Sequence, residues 1–226
     1  MIQIVFENEN FVVCDKESGV LTTPSRFAED DERLCLGTAL QKKLDKQIFP
    51  IHRLDFEVSG LVMYAKNSDA HRQANTWFEQ KQVQKTYRAL TCKQGFDHIP
   101  ANVPNSRKFF EIRAGDVFEW KSRLLRGKRR AFESPQGKPS LTIATFLGES
   151  GNAHLAWDLS PVTGRSHQLR FDLSRHGFPI LGDSLYGSTV FFGEKKIALR
   201  SYKIDFSNAK GAAMLGLPNV IEVSSL

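Results

Sequence analysis

Cysteine is nearly missing from this chain: Cys14, Cys35 and Cys92 are the only three. An odd number at wide spacing builds neither a disulfide framework nor a zinc knuckle, and such thiols read as reduced packing residues. The histidines, at 52, 71, 98, 154, 167 and 176, include no H-x-x-x-H pair and no cysteine partner at ligand spacing, so no metal site is expected. Long apolar runs are lacking too. No stretch approaches the roughly 18 residues that span a bilayer. The start, "MIQIVFENENFVVCDK", carries no basic segment ahead of an apolar one. The expectation is a soluble, cytoplasmic protein without a membrane partner. Neither a G-x-G-x-x-G nor a Walker-type loop occurs, which argues against a nucleotide cofactor. Low-complexity segments and internal repeats are also missing, so disorder is not expected.

Acidic residues are in deficit: 25 Asp and Glu stand against 31 Lys and Arg, a net charge of +6. A polyanionic partner fits that balance. The excess is concentrated in "KSRLLRGKRR", residues 121–130, where six of ten side chains are basic. Such a run serves either as a solvated loop or as a phosphate-contacting segment, and alone it decides nothing. Hydrophobic residues make up 41% of the 226, enough to build a core. The length suits one domain with two lobes over residues 1–226, with an irregular basic segment at about 93–139.

Residues 2–6 and 11–15 are β-branched and aromatic runs joined by "ENEN", which predicts a hairpin. "GTALQKKLDK", residues 37–46, places Ala39, Leu40 and Leu44 for a short amphipathic helix. "GLVMYA" reads as a buried strand. Ser68 is the expected N-cap of the next helix, which carries Ala70, Ala74, Trp77 and Phe78 on one stripe and ends near Gln82. "KTYRALT" alternates as a strand, and "LTIATFL" and "AHLAWDL" pair across "GESGN". In "RSHQLRFDLSRH", Leu169 and Leu173 lie one helical turn apart, and Gly177 closes the helix as its C′ residue. Interleaved strands and helices with short turns predict an α+β fold with a mixed or mostly antiparallel sheet.

Three stretches can carry chemistry. In "PIHRLDFEVSG" an aspartate, Asp55, follows two residues after Arg53; ionised at neutral pH, it can act as nucleophile or base, or merely form a salt bridge with Arg53 or cap a turn. "TGRSHQLR", residues 163–170, sets two arginines and a histidine beside a helix start, which is either a place where backbone N–H groups favour anions or only a capped helix start with its arginines in water. Tyr87 in "KTYRAL" is either core packing or a flat face on which a base stacks.

Taken in order, "HRLD", "SGLVMYAK", "KTYRAL", "TGRSHQLR" and "GFPILGDSLYG" resemble the RluA family of pseudouridine synthases, over about residues 8–205. The resemblance implies an isomerase that converts particular uridines of structured RNA, ribosomal or transfer, to pseudouridine without a cofactor. It also implies a central mixed, mostly antiparallel sheet with flanking helices and an RNA-binding cleft. A monomer without an obligatory protein partner is expected. Carried over residue by residue, Asp55 matches the catalytic aspartate, and Arg53 the arginine that enters the RNA stack where the target base has flipped out. Tyr87 matches the tyrosine packed against the uracil. Arg165 matches the basic residue paired with the catalytic carboxylate, and Leu169 an aliphatic residue of the base pocket.

The chain departs from the family in "KESG", where Glu17 stands in place of proline, and at Val58, where threonine is usual. The S4-type RNA-binding domain of many relatives is not expected here, and the basic run with Lys128, Arg129 and Arg130 is the candidate substitute for its RNA affinity. Breaking the N1–C1′ glycosidic bond needs a nearby anion. Asp55 attacking C1′, abstracting a ribose proton to give a glycal, or adding to C6 all satisfy that need, and the sequence selects none of them. Two rival readings are a hydrolase using Asp55 with Glu57 as a carboxylate pair and an RNA-binding or ribosome-assembly protein without catalysis.

Overall fold

The computed structural model describes residues 2–25, 31–99 and 107–226. In chain order the strands and helices are β1 (Gln3–Glu7), β2 (Phe11–Lys16), α1 (Leu36–Leu44), β3 (Phe49–Pro50), β4 (Ser59–Ala65), α2 (Ser68–Glu79), β5 (Gln84–Thr91), β6 (Val117–Arg126), β7 (Ala131–Glu133), β8 (Lys138–Ser150), β9 (His154–Pro161), α3 (Gln168–Arg175), β10 (Leu199–Asp205) and β11 (Val220–Glu222). They fall into two compact units, residues 1–85 with 200–225, and residues 86–199. No helix among the described residues is long and apolar enough to cross a membrane.

In the first unit the strand order is β1-β2-β4-β10, with β3 on β4 and β11 on β10. Only β4 and β10 run parallel; the other pairs are antiparallel. β2 and β4 are buried along nearly their whole length, which explains their continuous apolar runs rather than strict alternation. Phe11, Val13, Leu61, Met63 and Ala65 from these strands pack against Ala70, Ala74 and Trp77 of α2. Phe78, expected on the same stripe, instead stacks on His52. The cap of α2 is one residue earlier than Ser68: Asn67 Oδ1 accepts the Ala70 N–H at 2.8 Å, satisfying a donor that the first turn leaves unpaired. The helix stops at Glu79, and Lys81 takes a left-handed conformation. In α1 the buried residues are Leu36, Gly37 and Leu40, while Ala39 is exposed.

The second unit has the order β5-β9-β8-β6-β7, antiparallel throughout. Its long β8–β9 pair bears out the "GESGN" turn, and Gly177 follows the α3 C-cap with φ +84. The stretch expected to be irregular contains the ten-residue β6, in which Trp120 and Leu124 face inward and Lys121 and Arg123 face outward. Charge on the outward positions had masked a period of two. Six of the ten residues of the basic run are therefore strand, and Gly127–Arg130 forms the tip between β6 and β7.

Candidate active site

Asp55 sits on a turn between β3 and β4 whose two sides are separately anchored. On the N-terminal side, the Leu54 N–H donates to Thr22 Oγ1 at 3.1 Å, and the same hydroxyl donates to Leu54 O at 3.0 Å. Thr22 is itself buried, its carbonyl accepting from Tyr64 Oη at 2.7 Å. On the C-terminal side, Phe56 O accepts from the Gly19 N–H at 2.8 Å and from Lys16 Nζ at 3.4 Å. The Val58 N–H then returns to Asp55 O at 3.2 Å, closing the turn into β4. Leu54 and Val58 point into the core, Asp55 is half-buried, and Arg53 is exposed. Alternation along this short loop thus separates the arginine from the residues that fix the turn.

Lys16 is only 1% exposed. Its ammonium donates to Val20 O at 2.7 Å and Glu17 O at 2.9 Å as well as to Phe56 O. Burial pulls its pKa down to about 8, against the opposing pull of the Asp55 and Glu57 carboxylates. His52 stacks on Phe78 with centroids 5.5 Å apart, and neither ring nitrogen has a hydrogen-bond partner. Burial, with Lys85 adding to it, drives the imidazole well below its ordinary range, so His52 is a neutral wall beside Arg53.

The other residues singled out in the sequence lie in the second unit. Tyr87, on β5 opposite Leu159, is 6% exposed, and Leu169 on α3 is equally buried. Arg165 is half-buried on the turn that leads into α3; its N–H donates to Gln168 Oε1 at 3.0 Å and its Nε to Pro139 O at 2.9 Å. Gln168 organises that turn, accepting also from Thr163 Oγ1 at 2.8 Å and donating to Leu141 O and Thr142 Oγ1. His167 enters α3 in a left-handed conformation, φ +54, with Tyr186 Oη 3.2 Å from its Nδ1. Tyr186 Oη also receives the Ala131 N–H at 2.7 Å, which ties the base of the basic tip to the same turn. Lys128, Arg129 and Arg130 are exposed at that tip.

The structure thus places Arg53 and Asp55 on one loop of the first unit, and Tyr87, Arg165, Leu169 and the basic tip in the second. Among the described residues no three His, Cys, Asp or Glu side chains gather as metal ligands. Lys16, Thr22 and Gln168 escaped the sequence reading. The signal for Lys16 was its place in the inward series Val12, Cys14, Lys16 of β2, where a lysine is out of character.

This fold and these motifs have counterparts. The model of the RNA pseudouridylate synthase family matches residues 10–175. The dual-specificity RNA pseudouridine synthase RluA of Pasteurella multocida is 31% identical over 187 residues, 82% of this chain and 77% of that protein. The tRNA pseudouridine synthase C of Vibrio cholerae is 29% identical over 190 residues, 84% of this chain and 76% of that protein. Among solved structures, human RNA pseudouridylate synthase domain containing 1 shares the fold with a TM-score of 0.68 at 23% identity, covering 100% of this chain and 83% of that one. The α+β architecture is that of the pseudouridine synthases, and the chain belongs to the RNA pseudouridylate synthase family. Within it the chain falls in the RluA family, as an isomerase that acts on RNA.

Proposed function

We propose that this synthase isomerises particular uridines of structured RNA, ribosomal or transfer, as a monomer, with Asp55 as the catalytic nucleophile or base. The observation that carries the assignment is the two-sided anchoring of its turn. Thr22 holds Leu54 and the Lys16–Gly19 loop holds Phe56, so a half-buried carboxylate is presented in one fixed position. A group that must meet a single ribose or pyrimidine carbon gains most from such preorganisation. The reaction cleaves N1–C1′, rotates the uracil and joins C5 to C1′, the C5 proton leaving to solvent. Attack on C1′, formation of a glycal and addition to C6 each begin from ionised Asp55.

Tyr87 and Leu169 supply apolar surface for the uracil, and Arg165 the cationic partner that the family resemblance assigns. Extruding a stacked base costs a few kcal/mol. Arg53, exposed on the same loop as Asp55, offsets part of that by taking the vacated place in the stack. Lys128, Arg129 and Arg130 contact phosphates. The names of the relatives, one a tRNA pseudouridine synthase and one an RNA pseudouridine synthase of dual specificity, support testing transfer RNA beside a second RNA class.

Tritium release from RNA labelled at uridine C5 tests the reading. The wild-type protein should release tritium from at least one RNA class, and Asp55→Asn should release none while still binding the RNA. Retention of about a tenth of the wild-type rate by Asp55→Asn would remove Asp55 from the chemistry.

A further inference from the structure

We propose that Phe132 is a base-stacking platform at the basic tip: its ring takes the face of an unpaired RNA nucleotide while Lys128, Arg129 and Arg130 hold the phosphates beside it. This rests on the reading of the tip as a phosphate-contacting segment. In β7, Ala131 is 3% exposed and faces the core, and Phe132, on the other side of the strand, is 44% exposed. Its register partner across the hairpin is the half-buried Leu125 of β6. A single exposed apolar residue is ordinary on a protein surface. The turn beside this one sets it apart.

Gly127 takes no left-handed conformation, so its backbone does not call for glycine. Room does: a Cβ there would lie 2.9 Å from Arg130 O and 3.2 Å from Phe132 Cε1. The Gly127 N–H donates to the same Arg130 carbonyl at 3.0 Å, closing the tip. The phenyl ring is thus seated against the backbone of the turn that carries the cations. From below, the Ala131 N–H donates to Tyr186 Oη at 2.7 Å, so the residue before Phe132 is fixed as well. A ring held in place before binding loses little freedom when a base stacks on it.

Charge then selects the partner. Arg126, Lys128, Arg129 and Arg130, all exposed, fill the turn between Leu125 and Phe132 with one sign of charge. The acids of the hairpin are engaged, Glu119 by Lys121 at 2.8 Å and Glu133 by Arg175 at 3.1 Å. An apolar protein surface would have to desolvate those cations. A nucleic acid brings phosphates for the cations and a flat apolar face for the ring. Inside a duplex the faces of each base are covered by its neighbours, so the nucleotide that fits is an unpaired one.

The test is binding of wild type, Phe132→Ala, Phe132→Leu and Phe132→Trp to a stem-loop RNA and to a fully paired duplex of equal phosphate number. Salt is varied from a concentration low enough that both RNAs are bound. Phe132→Ala and Phe132→Leu should weaken stem-loop binding about 5- to 150-fold, with the salt slope and duplex affinity of the wild type. Leucine keeps apolar packing on Gly127 and lacks the flat face, which separates stacking from support of the turn. Phe132→Trp should bind the stem-loop at least as tightly as wild type, and its added indole fluorescence should be quenched by the stem-loop and not by the duplex. Wild-type affinity in Phe132→Leu, or a flattened salt slope in Phe132→Ala, would make the ring a prop for the tip and overturn the proposal. An equal loss on stem-loop and duplex overturns it too. If the triple alanine variant of Lys128, Arg129 and Arg130 keeps the wild-type slope, the tip does not contact phosphates and that reading has failed. A lowered slope in the triple variant beside wild-type binding by Phe132→Ala removes the stacking role alone.

Discussion

The His176 imidazole lies on the Trp120 indole with ring centroids 4.4 Å apart and planes 14° from parallel, and its Nδ1 donates to Asp172 O at 2.7 Å. Both titratable groups of this pair are shifted by burial, in senses that oppose each other with pH. Burial raises the Asp172 carboxyl to about 7; the Thr142 hydrogen bond and Arg175 act against the rise, and Glu133 adds to it. The same cause lowers His176 to about 4. Asp172 binds its proton more tightly in the folded chain, so its contribution to stability falls as pH rises from about 4 to about 7. His176 binds its proton less tightly when folded, so its contribution falls as pH drops from 6.5 towards about 4.

Asp172→Asn should isolate the first of these effects. The amide oxygen still accepts from Thr142, and no ionisation cost remains. Urea midpoints for the variant and wild type should converge near pH 4 and diverge above pH 7, the variant being the more stable by about 2–4 kcal/mol. The variant should also lose stability more steeply between pH 6.5 and 4, because His176 is no longer offset. A constant difference across the range would assign the effect to packing.

Gly60→Ala should be severe. Gly60 has φ +110 at the parallel pairing with Ser201, and an added Cβ would collide with the Ser201 backbone carbonyl. Backbone strain and forced separation of β4 from β10 should together cost about 3 kcal/mol or more, read from urea unfolding. Since β4 leaves directly from the Asp55 turn, soluble variant should also be slower in tritium release.

Arg53→Ala should slow the reaction without abolishing it. Loss of a stacking contact of about 1–3 kcal/mol corresponds to a ~5- to 150-fold lower single-turnover rate. On an RNA whose target uridine is already unstacked the defect should shrink, because extrusion then costs less. Equal defects on a structured stem-loop and a flexible RNA would place Arg53 in the chemistry rather than in the stack.

Replacing Lys128, Arg129 and Arg130 together by alanine should weaken RNA binding and flatten its salt dependence. Each lost phosphate contact should lower the slope of log K against log salt by about 0.7–0.9. The tip is exposed and anchored from below through Ala131 and Tyr186, so the fold should tolerate the change. An unchanged slope would show the tip to be a solvated turn.

What the sequence determined by itself was whatever repeats locally or sits in a contiguous motif. The β1–β2 hairpin, the apolar stripe of α2 and the glycine after α3 follow from periods of two and 3.6 and from φ > 0 at Gly177. "HRLD", "KTYRAL" and "TGRSHQLR" carry the family resemblance because each is short and ordered along the chain. β6 was hidden, because its outward residues are so charged that Trp120 and Leu124 alone betray the strand, and β8 alongside them settles it. The anchoring of Asp55 lay wholly beyond local pattern. Thr22 reaches Leu54 across 32 residues, and Lys16 reaches Phe56 across 40. A hydrogen bond between positions so far apart leaves no periodic trace; it exists only once β2 and β4 have paired and brought their connecting loops together. Tertiary structure likewise turned Lys16 from one basic residue among 31 into a buried charge behind the Asp55 turn, because burial, not identity, decides what a charge does.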